Sequence, residues 1–398
     1  MLNQLELAPP DAILGLTEAF NQDSNPNKIN LSVGVYKNEQ GVTPVLPSVK
    51  EAERRILTEE STKSYLPISG LASYGQSVME LLLGPNHAIL EADRASSVQT
   101  PGGTGALRVA ADFIKTRLPT NKIWTSSPTW ANHPNIFSAA GLEQDSYPYL
   151  DPATNGLNLE GMLTCIDQMP AGEVILLHGC CHNPSGIDPT PDQWHEIANR
   201  VQARGLLPLV DFAYQGFADG IEQDAKGLHT ICEQVEEVLI ASSYSKNFGL
   251  YRERIGALTA VAADSAASAA TLSHLKACIR CNYSNPPAHG AEIVQTILGD
   301  VSLRQQWEAE LTEMRDRING MRDLFVKTMK EHVPDRNFEF IRTQRGMFSF
   351  SGLTKEQVAQ LRDEDSIYIV GSGRINVAGI TPNNVDRLCL AIAKVISG

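Results

Sequence analysis

The sequence predicts an α/β fold, a mostly parallel central sheet covered by helices, plus a smaller α+β domain. Three observations carry this expectation. Short apolar runs alternate with helical patterns through the middle of the chain, as strands buried on both faces do. Residues 302–332 form one long amphipathic stretch. Beyond it lies a shorter piece of mixed strand and helix patterns.

Residues 11–20 read as a short helix, with Asp11 as a candidate cap and Ile13, Leu14, Leu16 and Phe20 as an apolar stripe. Residues 29–36 alternate apolar with small or polar residues, which predicts a half-buried strand, and Gly34 there permits close approach of a ligand to backbone. Residues 48–57 suggest a second helix, and 64–70 a loop rich in Pro and Gly signals. Residues 97–105 run straight into the helical stretch 106–115, giving strand, glycine turn and helix. Free N–H groups at such a helix start form an anion site. The Gly-Lys-Ser/Thr ending of a P-loop is absent, and so is the third glycine of a dinucleotide fingerprint. A simple phosphate cradle fits best.

Strand patterns follow at 122–126, 173–178, 206–211, 237–242 and from Ile255, with helices at 158–168 and 191–204 between them. In sheets of this kind the site lies at the carboxyl ends of the strands. Asn183, Asp211, Tyr214 and Lys246 all fall at those ends. In residues 302–332, Leu303, Trp307, Leu311, Met314, Ile318, Met321, Phe325 and Met329 recur at steps of three and four, which is core packing. The remainder holds Gly346–Phe350, a helix at 354–363, a strand at 367–370, Arg374 and a final helix from about 382.

Composition bounds the function. The 398 residues are 42% hydrophobic and 20% charged, enough for a sizeable core. The net charge of −13 argues against sequence-independent nucleic-acid binding. The first ten residues lack a basic region followed by an apolar core, and no apolar run is long enough to span a bilayer. The expectation is a cytoplasmic protein with no membrane partner. Seven cysteines without a secretion signal read as reduced thiols. Cys278 and Cys281 form a lone CxxC with no second pair, against a zinc ribbon. His178-Gly-Cys-Cys-His182 resembles metal-ligand spacing, but adjacent cysteines at a strand end point apart and the two histidines are not expected to share a face. No metal is expected.

Lys246 concentrates the chemistry. It follows the apolar run 238–241, stands among Ser242, Ser243, Tyr244 and Ser245, and is followed by Arg254. Desolvation and a like charge both disfavour the ammonium form, and a neutral amine attacks carbonyls. The alternative is a solvated lysine in a serine-rich loop. A Schiff-base lysine, an acid for a ring nitrogen and an anion cradle together specify pyridoxal 5′-phosphate, an electron sink that needs a protonated pyridine nitrogen. Asp211 is the candidate acid.

These residues resemble the class I aminotransferases of fold type I, the aspartate and aromatic amino-acid aminotransferase family. The resemblance runs almost end to end and rests on Thr100–Leu107, His178–Pro184, Asp211–Phe217, Ser243–Gly249, Tyr283–Pro287 and Gly346–Phe350. It implies a fold type I pyridoxal-phosphate transferase with a large domain at 41–309 and a discontinuous small domain, 1–40 with 310–398, that closes on substrate. It implies that Lys246 anchors the cofactor and shuttles the proton. It gives Asp211 to the pyridine nitrogen with His133 behind it, Tyr214 and Asn183 to the phenolic oxygen, and Trp130 to the ring face. Gly103, Thr104, Ser243 and Arg254 would hold the phosphate, with Tyr65 arriving from the other subunit of a homodimer. Arg374 would take the substrate α-carboxylate, helped by Asn183 and the backbone of Gly34. Arg280 of the neighbouring subunit would meet a distal carboxylate. The substrates implied are amino acids and 2-oxo acids.

Within that family the signals divide. Val35, Lys37, Thr43, Thr104 and Asn285 resemble the aspartate branch, while Tyr65–Gly70 and Asn337–Gly346 are similar to the aromatic branch. The expected activity is aromatic amino-acid transamination that also handles aspartate and glutamate, with 2-oxoglutarate as acceptor. A strict aspartate aminotransferase is the alternative. A pyridoxal-dependent lyase or decarboxylase fits Arg280 and Arg374 less well. A non-catalytic pyridoxal-binding regulator would carry a DNA-binding region.

Overall fold

A computed structural model of the chain describes residues 2–7 and 14–397. Among these, seven strands form the central sheet in the order Ala95–Pro101, Ile255–Val261, Val238–Ser243, Leu207–Phe212, Val174–His178, Lys122–Ser127, Glu143–Pro148. Ile255–Val261 runs antiparallel to both of its neighbours, and the other pairings are parallel. The mostly parallel sheet expected from the sequence is therefore present.

The strands are apolar on both faces because both are covered. Leu176, Leu209, Leu239 and Leu258 pack with Leu107, Ile114, Leu275 and Ile279 in one core cluster. Their alternating neighbours Ile175, Leu177, Val210 and Ile240 belong to the opposite cluster, with Trp194, Ile197, Val201 and Ile231. Helix Pro191–Arg204 is bounded by its local chemistry: Thr190 and Gln193 form a capping box, Pro191 begins the helix, and Gly205 ends it in the left-handed region.

The long helix Val301–His332 buries the stripe read from the sequence. Trp307 stacks on Phe248 at 4.3 Å and donates from Nε1 to the Asn247 carbonyl at 2.7 Å, so this helix braces the segment that carries Lys246. Ile29–Asn30 pairs in parallel with Ile367–Tyr368, and Phe348–Phe350 pairs antiparallel with Arg374–Asn376.

Several expectations need correction. The strand expected over 29–36 ends at Asn30. Beyond it the backbone turns to other partners: the Ser32 carbonyl accepts from Arg374, and those of Val33 and Val35 accept from Asn376. The strand expected over 367–370 keeps only Ile367–Tyr368, and the last helix starts at Val385. The first helix is Leu14–Gln22; its proposed cap, Asp11, and Ile13 lie outside the described residues. Helices Ala72–Leu83, Ile221–Gln234, Ser265–Asn282 and His289–Gly299 add to those read from the sequence. Among the described residues no helix is long and apolar enough to cross a membrane.

Candidate active site

The carboxyl ends of the parallel strands meet in a cavity of about 260 Å³. Leu207–Phe212 delivers Asp211, and the turn after it delivers Tyr214. Val238–Ser243, buried throughout, delivers Ser243 and then Ser245 and Lys246. The loop after Val174–His178 delivers Asn183, and the one after Lys122–Ser127 delivers Trp130. Gly103 and Thr104 enter from the start of helix Gly102–Arg117, Arg254 from the approach to Ile255, and Gly34, Phe348 and Arg374 from the remaining side.

Lys246 lies deep here. Its Nζ sits 4.7 Å from the Tyr214 ring centroid. Burial, joined by the Arg254 charge and opposed by Asp211, lowers its pKa from the usual 10.5 to about 8. A substantial fraction of the amine is thus neutral and nucleophilic near neutral pH.

Asp211 is kept ionised against burial. Desolvation raises its pKa, yet the His133 hydrogen bond, the nearby imidazoles and Lys246 together bring it below the ordinary carboxylate value. His133 Nε2 lies 3.0 Å from Asp211 Oδ2, and His133 Nδ1 lies 2.8 Å from Thr129 Oγ1. Thr129 at one ring nitrogen and Asp211 at the other fix the orientation of the imidazole. A buried anion held this way offers a fixed negative charge to a cationic ring nitrogen.

The anion cradle is tight. A side chain at Gly102, where φ is +76°, would bring its Cβ to 2.3 Å from Arg254 Nη2; one at Gly103 would come to 3.0 Å from Ser243 Cβ. Arg254 itself has φ +53° and donates from Nη1 to the Tyr251 carbonyl at 2.9 Å. Glycines let the start of a 16-residue helix, Ser243 and the Arg254 guanidinium share one side of the cavity, an arrangement that could hold an anion such as a phosphate.

Opposite stands Arg374, 4% exposed. Its Nη2 donates to the Ser32 carbonyl at 2.7 Å and Nη1 to Asn183 Oδ1 at 3.3 Å, while Phe348 lies 4.1 Å from the guanidinium carbon. Its Nε is buried with no hydrogen-bond partner. As a lining residue of the cavity, Arg374 brings a guanidinium to this end that suits an anion.

Two expected residues lie apart from this cavity. Tyr65 is 92% exposed, and Arg280 is exposed near the end of helix Ser265–Asn282, donating to the Ser284 hydroxyl. Sequence reasoning missed Ser245, Tyr251 and Phe348 in the lining. Phe348 lies inside a stretch already singled out and Tyr251 just beyond one, but nothing in their type marks them as lining rather than core. The expectation that His178 and His182 do not share a face is overturned: their ring centroids lie 4.2 Å apart. Cys181 has φ +52°, which turns the chain back on itself between them. His182 is already engaged by Ser126 at Nε2 and Ser185 at Nδ1. The adjacent cysteines also converge, with Cys180, Cys181 and Asp224 bringing potential ligand atoms within 4.8 Å of one another. Burial raises both thiols, and the Asp224 carboxylate accepts four backbone N–H groups, so this donor set is poorly suited to a metal.

Residues 26–392 match the family described as aminotransferase class I and II. The chain belongs to that family. It is 53% identical over 396 residues to the aspartate aminotransferase of Escherichia coli (strain K12), covering 100% of both chains. It is 43% identical over 397 residues to the aromatic-amino-acid aminotransferase of the same organism, again with 100% of both covered. The crystal structure of an aromatic-amino-acid aminotransferase from Burkholderia pseudomallei covalently bound to pyridoxal phosphate superposes with a TM-score of 0.97 at 46% identity, covering 99% of each chain. The fold is accordingly that of the fold type I aminotransferases, as the sequence led us to expect.

Proposed function

We propose that the chain is a pyridoxal-phosphate-dependent aminotransferase that moves amino groups between amino acids and 2-oxo acids, taking aromatic amino acids as well as aspartate and glutamate. One observation carries the reading: a lysine depressed to about 8, a histidine-backed buried aspartate and a glycine-built anion cradle line one cavity. The cofactor fits these groups. When bound, it supplies an electron sink for the substrate α-carbon.

Lys246 would hold the cofactor's aldehyde carbon, and its amine would carry a proton to or from the substrate α-carbon. Asp211, oriented by His133, would keep the ring nitrogen protonated. Tyr214 and Asn183 would meet the phenolic oxygen, and Trp130 would cover the ring. Gly103, Thr104, Ser243 and Arg254 would retain the phosphate. Arg374 would orient the substrate by its α-carboxylate; its place in the cavity lining supports this role, and Asn183 already meets its Nη1. Gly34 brings backbone close to the same end, next to Phe348.

The second part of the proposal is a homodimer. Tyr65 and Arg280 lie outside their own cavity, which suits residues that complete the partner's site. A cytoplasmic enzyme with a large domain at 41–309 and a small one at 1–40 with 310–398, closing on substrate, completes the reading; the pairing of Ile29–Asn30 with Ile367–Tyr368 supports that division.

Breadth of substrate would need Arg280 to swing aside when an aromatic ring enters; among the described residues it donates to the Ser284 hydroxyl rather than to a carboxylate. Strict aspartate preference is the second reading, favoured by the 53% identity to a relative named for that activity. Comparing kcat/KM for aspartate, phenylalanine and tyrosine with 2-oxoglutarate separates the two. Aromatic values within about tenfold of aspartate are expected, one decade being about 1.4 kcal/mol in the transition state. Aspartate ahead by orders of magnitude would establish the strict enzyme, and no amino transfer at all would remove the reading.

A further inference from the structure

The most deeply buried cation of the long helix takes no part in the contacts assigned above. Arg322 is 2% exposed. Among the described residues no carboxylate pairs with it. Its Nη2 donates to the carbonyls of Gly346 and of Phe348, the latter at 3.0 Å. Its Nε meets Ser349 Oγ at 3.3 Å and its Nη1 meets Asn319 Oδ1 at 3.1 Å. Burying an ion without a counter-ion is costly, and burial lowers the guanidinium pKa to about 10. A neutral side chain would avoid that cost, but it would remove a donor shared by two alternate carbonyls of one short segment.

That segment joins two halves of the cavity. On one side, Phe348–Phe350 pairs with Arg374–Asn376, with Phe350 opposite Arg374, and the Phe348 ring lies against the Arg374 guanidinium. The same ring limits the space at Gly34, where a Cβ would come to 3.0 Å. On the other side the segment is keyed to the loop carrying Asn183. Gly346 has φ +80°, and a Cβ there would lie 2.4 Å from Cys181 Cβ. The Arg345 N–H donates to the Gly186 carbonyl at 2.6 Å. Arg374 in turn reaches Asn183. The position of residues 345–349 therefore decides how Arg374, Phe348 and Asn183 meet.

We propose that Arg322 is a positioning residue for substrate recognition: gripping the carbonyls of Gly346 and Phe348 from the long helix, it seats Phe348 and thereby aims the Arg374 guanidinium at the substrate carboxylate. This rests on the reading of Arg374 as the carboxylate-binding group. A planar guanidinium spans two carbonyls and a hydroxyl together, whereas an ammonium is a single point of donation. The grip thus depends on shape as well as charge.

The test is steady-state kinetics of the holoenzyme with aspartate and 2-oxoglutarate, alongside cofactor absorbance. The variants are Arg322→Met, Arg322→Lys, Arg374→Ala and the double change Arg322→Lys with Arg374→Ala. Arg322→Met is expected to raise KM for both substrates roughly tenfold or more, with kcat changed less than about threefold and cofactor absorbance unaltered. Arg322→Lys should fall between wild type and Arg322→Met. In the double variant the lysine change should add almost nothing to the Arg374→Ala defect, because its effect passes through Arg374. If Arg322→Met does not fold, the lysine variant and the double variant decide. A lower Tm with unchanged KM, or a lysine effect that is fully retained without Arg374, overturns the proposal while leaving the Arg374 assignment standing. An unchanged KM in Arg374→Ala overturns that assignment, and the proposal with it.

Discussion

Neutralising Asp211 should shift the pH at which Lys246 captures an aldehyde. Burial is the main reason the Lys246 pKa falls from 10.5 to about 8; Arg254 adds to the fall and Asp211 opposes it. The difference corresponds to about 3 kcal/mol against the ammonium form. At pH 7.5 a pKa of about 8 leaves roughly a quarter of the amines neutral, whereas the ordinary value leaves about one in a thousand. The neutral amine is the reacting species, so the capture rate rises with pH and levels off above the folded pKa. Asp211→Asn removes the charge that favours the ammonium, so the midpoint should move below 8. Arg254→Gln removes an opposing cation, so it should move above 8. The assay is stopped-flow absorbance after mixing apoenzyme with pyridoxal phosphate across about pH 6 to 11.5, which brackets both the lowered and the ordinary lysine pKa. A wild-type midpoint near 10.5, or a midpoint that rises in Asp211→Asn, would refute the reasoning.

Three other outcomes are expected. Arg374→Lys replaces a planar fork with a point charge and should raise KM for amino acids by about ten- to a hundredfold, the size of one charge-assisted hydrogen bond of roughly 1.5–3 kcal/mol; initial-rate kinetics read it. His133→Ala removes the donor to Asp211 and should lower kcat/KM by about tenfold or more while the protein still binds cofactor, since charge-assisted bonds of this kind are worth about 1.5 kcal/mol or above; kinetics with absorbance titration check both halves. Trp307→Ala empties a site that is 0% exposed, where the ring stacks on Phe248, and should cost about 3–5 kcal/mol in denaturant unfolding.

The central sheet was legible because its strands announce themselves. Val174–His178, Leu207–Phe212 and Val238–Ser243 are short apolar runs separated by helical periods, and burial on both faces produces that pattern. The edge strand Glu143–Pro148 carries no such run: only Tyr147 in it is buried, so periodicity has little to register. Helix Ser265–Asn282 is rich in Ala and Ser, and its buried stripe is four residues over 18 positions. Residues 29–36 alternate as a strand does, but their carbonyls serve Arg374 and Asn376, which are more than 340 positions away and which no local pattern anticipates.

The site divides along similar lines. Lys246, Asp211, Tyr214 and Asn183 were found because strand ends and residue chemistry coincide. His133 entered only through family resemblance, since nothing local shows that its ring meets Asp211 from 78 positions away. Phe348 and Arg322 stayed hidden because one reads as core and the other as a solvated helix charge. The nearness of His178 and His182 depends on one left-handed residue, Cys181, a conformation that its side chain does not advertise.

The most direct test of the account is the single-turnover absorbance change of the bound cofactor on mixing with aspartate or phenylalanine, in the wild type and in Lys246→Ala. The account predicts a rapid change in the wild type with both amino acids. It predicts a change slower by at least about 10²–10⁴-fold in Lys246→Ala, the contribution of a positioned proton-transfer group. Amino transfer by Lys246→Ala at near the wild-type rate would contradict it.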